Sequence, residues 1–341
     1  MPHSAAIQPA AKAPLEIQEV ETPQPGPHEI LIENGLIALA PIDAQLAKLA
    51  VFPLEYPTIL GSVYGGTVSA VGGEVTGFKV GDKVAAARTG GEFGSTRGAF
   101  QKYVIARDVL ASKLPDGADL LGPVGLLGNF STVVGLFNAR LGLDRPDPLD
   151  IPKASKGKKI LVYGGTSSFG SFATQYLTQA GYDVVTTTSP KHKDLVAKLG
   201  AVHVVDHAQP QEAVVRDLVA RGPYDHVVDS ISLTPTFAIT AAVVAAQGGG
   251  TLYALLPPLD PSVFPEGVVP EFGSWSSPLV QDEKNAELLR WAFWTYFPQA
   301  VSNNTLFALP SQKIDGGLSG LNEAVEVLFK GVSCSKVVVE L

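Results

Sequence analysis

The chain has 341 residues, a net charge of −8 at pH 7, 45% hydrophobic and 17% charged residues; this length points to about two domains, and the composition is globular, without the charge excess of a disordered chain. The acidic balance disfavours nucleic acid or an anionic membrane surface as a general partner. A single cysteine, Cys334, excludes an internal disulfide and a Cys-based zinc cluster and agrees with a reducing compartment, the cytosol by default, and no signal-peptide core or membrane-length apolar run is expected.

In chain order, residues 14 to 34 hold an alternating segment, a turn at Pro23 to Pro27 and a strand, Glu29 to Glu33. A short helical patch ends at Ala50. Leu60 to Val84 reads as short strands broken by glycines, with Gly81-Asp82 as a hairpin-type turn, and Gly98 to Ala106 adds another strand. Strands this short predict a small barrel-like domain. Leu121 to Leu143 is an apolar helical stretch with Ser131 and Thr132 near its start, where a hydroxyl can simply satisfy a helix carbonyl. Asp144 to Lys158, with prolines at 146, 148 and 152, is a surface loop.

Lys158 to Thr188 is the stretch around which the middle of the chain is organised. Lys159 to Tyr163 is a buried parallel strand that stops at Gly164-Gly165; Thr166, Ser167 and Ser168 are N-cap residues; Phe169, Phe172, Ala173, Tyr176 and Leu177 recur at helical spacing until Gly181. Tyr182 to Thr188 closes a βαβ unit. A helix N-terminus reached through glycines offers unpaired N–H groups to an anion, so Gly165, Thr166, Ser167, Ser168 and Phe169 are read as a pyrophosphate cradle. In the dinucleotide fingerprint Gly164, Thr166 and Gly170 stand at the glycine places, the middle one replaced. The second strand ends in Ser189, Pro190, Lys191, His192 and Lys193, with no carboxylate before Asp194. Hydroxyls and cations there suit a 2′-phosphate, so the expected cofactor is NADPH, held by Ser189, Lys191 and His192; the alternative is a solvated helix start.

Helices at 193–199, 211–220 and 235–246 alternate with strands at 202–205, 224–229 and 250–256, which predicts a doubly wound parallel sheet. Ligands lie beyond strand C-termini in such sheets, which assigns Ser230, Ile231, Leu255 and Leu256 to the cofactor side. Pro257 to Pro278 reads as a long irregular loop and Asp282 to Ala300 as an amphipathic helix whose two tryptophans belong to core or interface. The tail returns to short strands around a helix, Leu318 to Lys330, and ends in Val337 to Leu341.

The segments APIDA (40–44), the Leu60 to Val84 run, GAFQKYVIARD (98–108), KLPDGA (113–118), YGGTSSFG (163–170) and GVSCSKVVVEL (331–341) resemble the medium-chain dehydrogenase/reductase family over nearly the whole chain. Within it the chain is similar to zinc-free fungal members: trans-acting enoyl reductases of polyketide pathways, quinone oxidoreductase-like proteins and the concanamycin-induced group. The resemblance implies an α/β fold, a Rossmann doubly wound parallel sheet over 122–299 plus a GroES-like small β-barrel domain formed by 1–121 and 300–341. It implies a small-molecule substrate with an activated alkene, a homodimer and a polyketide synthase partner.

Zinc-dependent relatives carry a Cys before the Asp of the region around Asp43 and a His-Glu pair after Gly61; here these read Ile42-Asp43 and Ser62-Val63, and the six histidines are scattered, so no metal is expected. In zinc-free relatives a Thr at position 132 lies beside the nicotinamide, and a cation at Lys336 lies near the cofactor phosphates; an exposed edge lysine is the alternative for Lys336. The implied reaction is NADPH-dependent reduction of an enone, quinone or enoyl thioester, with Thr132, Tyr64 and Lys48 as candidate donors to the developing enolate. A nucleotide-binding scaffold or sensor without turnover stays open, because relatives usually carry Asn and often Lys where this chain has Ala40 and Gln45.

Overall fold

The chain divides after Ser131 and again after Trp275: one unit comprises Met1–Ser131 and Ser276–Leu341, the other Thr132–Trp275. The computed structural model describes residues 1–89, 94–150 and 153–341. Ile151 and Pro152 of the predicted 144–158 loop, and residues 90–93, lie outside the described residues.

The second unit is built on six parallel strands: β1 (Lys159–Tyr163), β2 (Asp183–Thr188), β3 (His203–Asp206), β4 (His226–Asp229), β5 (Gly250–Ala254) and β6 (Val268–Phe272). Their spatial order is 3-2-1-4-5-6, so the strand order reverses beside β1, where doubly wound sheets bind nucleotides. Helices Ser168–Gln179, Gln211–Val219 and Thr234–Ala246 alternate with the strands. Apolar side chains on successive strands, Leu161, Val185, Val205, Val227 and Leu252, form one buried cluster, each worth roughly 1.5–3 kcal/mol of burial.

β6 falls where the sequence predicts irregular loop. It pairs with β5 in parallel, Gly250 opposite Val268, but it is a sheet edge with Pro270 inside it and only Val268 fully buried. Proline is tolerated on an edge strand and hides it from propensity reasoning. Arg140 tacks the strand down through a bidentate pair to Glu271 at 2.6 and 2.8 Å.

In the first unit a seven-stranded sheet places Ser311–Ile314, Lys336–Glu340, Glu29–Ala38, Val63–Val71, Lys83–Ala87 and Ala111–Lys113 side by side, with Tyr103–Arg107 on Glu29–Ala38. A smaller sheet joins Glu16–Glu21, Pro2–Gln8 and Thr58–Ile59. Pro2–Gln8 is not among the strands the sequence predicts, since its apolar residues do not alternate cleanly.

Both expected domain boundaries move, from 121/122 to 131/132 and from 299/300 to 275/276. Leu121–Leu127 packs on the strands 29–38, 63–71 and 83–87 of the barrel. Further along, Phe293, Tyr296 and Phe297 surround Phe130, Trp294 meets Phe78, and Ser112 donates to the Phe293 carbonyl. Apolar packing, not chain continuity, assigns these segments. The expected 121–143 helix is two pieces, Leu121–Leu127 and Phe130–Arg140, bent by 42°, the second passing into π-helical turns at Gly135–Arg140. Likewise 282–300 is interrupted by π-turns at Trp291–Tyr296. Among the described residues no single helix is long and apolar enough to cross a membrane.

Candidate active site

In the second unit the turn after β1 is fixed by close backbone approach. Gly164 has φ 91°. A Cβ on Gly165 would come within 2.5 Å of Thr186 Oγ1, and one on Gly170 within 2.2 Å of the Gly164 carbonyl oxygen. The spacing that carries the fingerprint is therefore Gly165, Ser167 and Gly170, with Ser167 in the middle place, one residue later than the sequence alignment on Gly164 and Thr166 places it. The closing glycine is required because the helix start lies against the turn.

Ser167 is the N-cap: its Oγ accepts the Gly170 N–H at 2.9 Å. Ser230 donates its hydroxyl to the Tyr163 carbonyl at 2.6 Å and lies 2.9 Å from Ser167 Oγ, so the Ser167 proton is directed at Ser230. Both hydroxyls hold the turn. The first N–H groups of the helix, those of Ser168 and Phe169, have no intrahelical acceptor and are the donors suited to a pyrophosphate. A cradle that a single methyl would fill, opening on a capped helix, fits a dinucleotide.

β2 supports the turn through Thr187, whose Oγ1 and carbonyl accept the N–H groups of Gly164 and Gly165, each at 2.9 Å. At its end the Thr188 hydroxyl is buried without a partner, Ser189 and His192 are half-buried and Lys191 is exposed. Strand pairing sets Thr188 opposite Asp206, so a carboxylate absent from the C-terminal end of β2 stands beside it; it accepts the Ala208 N–H at 2.8 Å. The neighbouring His207 imidazole is held below its ordinary pKa by burial, with His192 acting in the same direction and Asp206 against it.

The ends of β4 and β5 are tied by a buried polar knot. Asp229, fully buried and raised in pKa by that burial, accepts the N–H groups of Ile231 and Ser232 at 2.9 and 2.8 Å. Ser232, at φ 58°, donates to the Asp229 carbonyl at 2.7 Å and accepts the Leu255 N–H at 2.8 Å. The Leu255 amide is thus committed to shaping the β5 end.

The first unit contains a second cluster, which the sequence does not announce. Helix Pro41–Leu49 starts at Ala40, and Asp43 in its first turn accepts the Ala40 N–H at 2.8 Å. Its other oxygen accepts the Ser62 hydroxyl at 2.5 Å. Burial drives the Asp43 pKa up, against the hydrogen bonds from Ser62 and Ala40 and the charges of Arg88 and Lys336. Lys336 is buried, not an exposed edge residue, and its Nζ has no hydrogen-bond partner; burial lowers its pKa to about 8, opposed by Asp43. The amine packs against Gly128, where a Cβ would lie 2.8 Å from Nζ and 3.6 Å from the Val63 side chain. Asp43 and Ser62 sit in the two segments where zinc-dependent relatives carry their ligands, and pairing them needs only the first-turn position of Asp43 and the strand start at Val63.

Of the predicted donors in this unit, Tyr64 is buried and its hydroxyl donates to the Ile105 carbonyl at 3.3 Å. Lys48 pairs with Glu326 at 2.7 Å across helices Pro41–Leu49 and Leu321–Lys330. Their protons point within the barrel or along its surface. Thr132, half-buried on helix Phe130–Val134, begins the second unit. Among the described residues no group of three His, Cys, Asp or Glu side chains is arranged to hold a metal.

A barrel with a buried acid–hydroxyl–amine cluster and a doubly wound unit with a glycine-gated helix start define an oxidoreductase architecture built for a nicotinamide dinucleotide. The alcohol dehydrogenase GroES-like domain matches residues 26–116 and the zinc-binding dehydrogenase domain matches residues 169–272. A trans-enoyl reductase of Aspergillus japonicus is 35% identical over 99% of this chain and 97% of its own length. Among solved structures, a quinone oxidoreductase of Pseudomonas syringae superposes with a TM-score of 0.76 at 20% identity, covering 99% of this chain and 100% of the other. A mycobacterial protein solved with NADPH gives 0.73 at 22%, covering 99% and 100%. The chain belongs to the medium-chain dehydrogenase/reductase family.

Proposed function

We propose that the chain is an NADPH-dependent, metal-independent reductase of an activated C=C bond, an enone, a quinone or an enoyl thioester, acting in fungal secondary metabolism. What carries this reading is the likeness to a trans-enoyl reductase along essentially the full length of both chains. NADPH is favoured by the β2 end, where Ser189, Lys191 and His192 replace an acidic residue, and by the NADPH complex of a protein with this fold. Ser168 and Phe169 would hold its pyrophosphate and the β2 end its 2′-phosphate; the group supplies a hydride. A polyketide synthase and a second copy of the chain are the partners this reading expects.

Metal independence is favoured by the donor set. Where a metal site would need thiolate or imidazole, the chain has Ile42, Ser62 and Val63. Charge developing on the substrate oxygen then falls to hydrogen-bond donors, with Thr132 the predicted one.

The test is NADPH consumption against a panel of enones, quinones and enoyl thioesters, before and after exhaustive EDTA treatment. Turnover that survives chelation is expected. NADPH binding with no consumption across the panel would leave the scaffold reading, and loss of turnover together with a stoichiometric zinc would overturn metal independence.

A further inference from the structure

We propose that Ser62 donates its hydroxyl proton to the substrate oxygen on which negative charge gathers, and that Asp43 behind it restores that proton. The inference rests on the reductase reading and deepens it by naming the acid. Asp43 has no exposure, whereas Ser62 retains 8%, so of the two only Ser62 can meet a ligand. The 2.5 Å contact between them is the only side-chain hydrogen bond of the Ser62 hydroxyl among the described residues. Burial of a carboxyl favours its neutral form. With the proton on Asp43 the bond reverses: the acid donates to Ser62 Oγ, and the serine proton turns to another acceptor.

Lys336 supplies the independent observation. A buried ammonium without an acceptor is costly and rare, and such a group calls for a partner that the protein does not provide. Its Nζ lies 2.8 Å from where a Cβ on Gly128 would stand, a point 3.6 Å from the side chain of Val63, the residue next to Ser62, and its charge is felt at Asp43. The groups acting on the acid are Ser62 and the Ala40 N–H by hydrogen bonding and Arg88 and Lys336 by charge. Hydroxyl, acid and unsatisfied cation together suit an oxygen that becomes anionic.

The proton count closes. When the β-carbon of an enone or enoyl thioester accepts a hydride, the π pair of the C=C bond shifts to form the enolate. The enolate oxygen takes the Ser62 proton and Ser62 takes that of Asp43; tautomerisation delivers a proton to the α-carbon, and once the product has left, a solvent proton entering through Ser62, the partly exposed member of the pair, restores Asp43. Ser62 is the catalytic group, and Asp43 and Lys336 act through it.

The experiment uses the full chain with saturating NADPH and the crotonyl thioester of N-acetylcysteamine as probe. Ser62→Ala should lower kcat roughly 100- to 1000-fold, the effect of deleting one oxyanion donor, while Ser62→Thr restores most of it and NADPH affinity by calorimetry is unchanged. The infrared spectrum of the wild type at pH 7 should contain a protonated-carboxyl band that Asp43→Asn removes. Wild-type kcat in Ser62→Ala with a native circular dichroism spectrum overturns the proposal, as does a threonine variant no better than alanine. Should the wild type reduce no alkene, the reductase reading fails separately, and the band still decides the cluster: its absence refutes a protonated Asp43 whatever the substrate.

Discussion

Replacing Gly170 by alanine tests whether the phosphate turn is shaped by close backbone approach. In an exposed helix interior this change gains up to about 1 kcal/mol of helix propensity. Here the new Cβ would lie 2.2 Å from the Gly164 carbonyl oxygen, 2.9 Å from its carbon and 3.0 Å from Ser167 Oγ. Two of these are backbone atoms that cannot swing aside, so the helix start must move away from β1 by roughly 1 Å to regain ordinary contact distances. Overpacking of this kind costs about 1–3 kcal/mol, and a weakened Ser167 cap adds about 1 kcal/mol. The net loss of about 1–3 kcal/mol corresponds to a fall in Tm of roughly 2–10 °C for a unit of this size. Because the displaced element carries the Ser168 and Phe169 N–H groups, NADPH affinity should drop at least tenfold, or about 1.4 kcal/mol. Thermal denaturation and calorimetry measure both. Gly73→Ala is the control, since nothing lies within 4 Å of its Cβ, and it should change stability by no more than about 1 kcal/mol. A Gly170→Ala protein that melts at or above the wild type and binds NADPH equally well would refute this account of the turn.

Cofactor choice is the next prediction: NADPH should bind more tightly than NADH by one to two orders of magnitude, about 1.4–2.8 kcal/mol, and the double change Ser189→Ala with Lys191→Ala should erase most of that ratio in calorimetry; equal affinities in the wild type would remove the 2′-phosphate reading. Thr132→Val should lower kcat roughly 10- to 1000-fold if its hydroxyl contacts the reacting carbonyl, with NADPH affinity little changed, and an unaltered kcat would return the residue to helix packing. Lys336 carries a pH signature. Its folded-state pKa of about 8 lies below the ordinary lysine value of 10.5, so between these two values the unfolded chain binds more protons and stability rises with pH. Denaturant titrations should show that rise in the wild type relative to Lys336→Met across this window, and parallel pH curves would show that the amine is solvated.

The βαβ unit and the parallel sheet are legible in the sequence because each rests on local chemistry. An apolar β-branched run, a glycine turn, an N-cap serine and a helical repeat lie within thirty consecutive residues, and their order alone dictates a right-handed unit open at the strand ends. Even there the register of the glycines is decided by space: only the approach of Gly170 to the Gly164 carbonyl identifies the closing position. The barrel is legible as a class and not in its partners, because pairing Lys336–Glu340 with Glu29–Ala38 joins residues about three hundred positions apart. β6 is invisible for the opposite reason, being an exposed edge with a proline that leaves no apolar pattern to read.

The candidate site divides the same way. Sequence can nominate Tyr64 and Lys48 by chemical type, but burial against Ile105 and pairing with Glu326 decide where their protons go. It singles out Asp43, Ser62 and Lys336 separately, through the resemblance, but does not join them into one cluster: a carboxylate, a hydroxyl and an amine at positions 43, 62 and 336 carry no spacing signal. Desolvation, which moves the Asp43 and Lys336 pKa values in opposite directions, exists only once the barrel has closed around them.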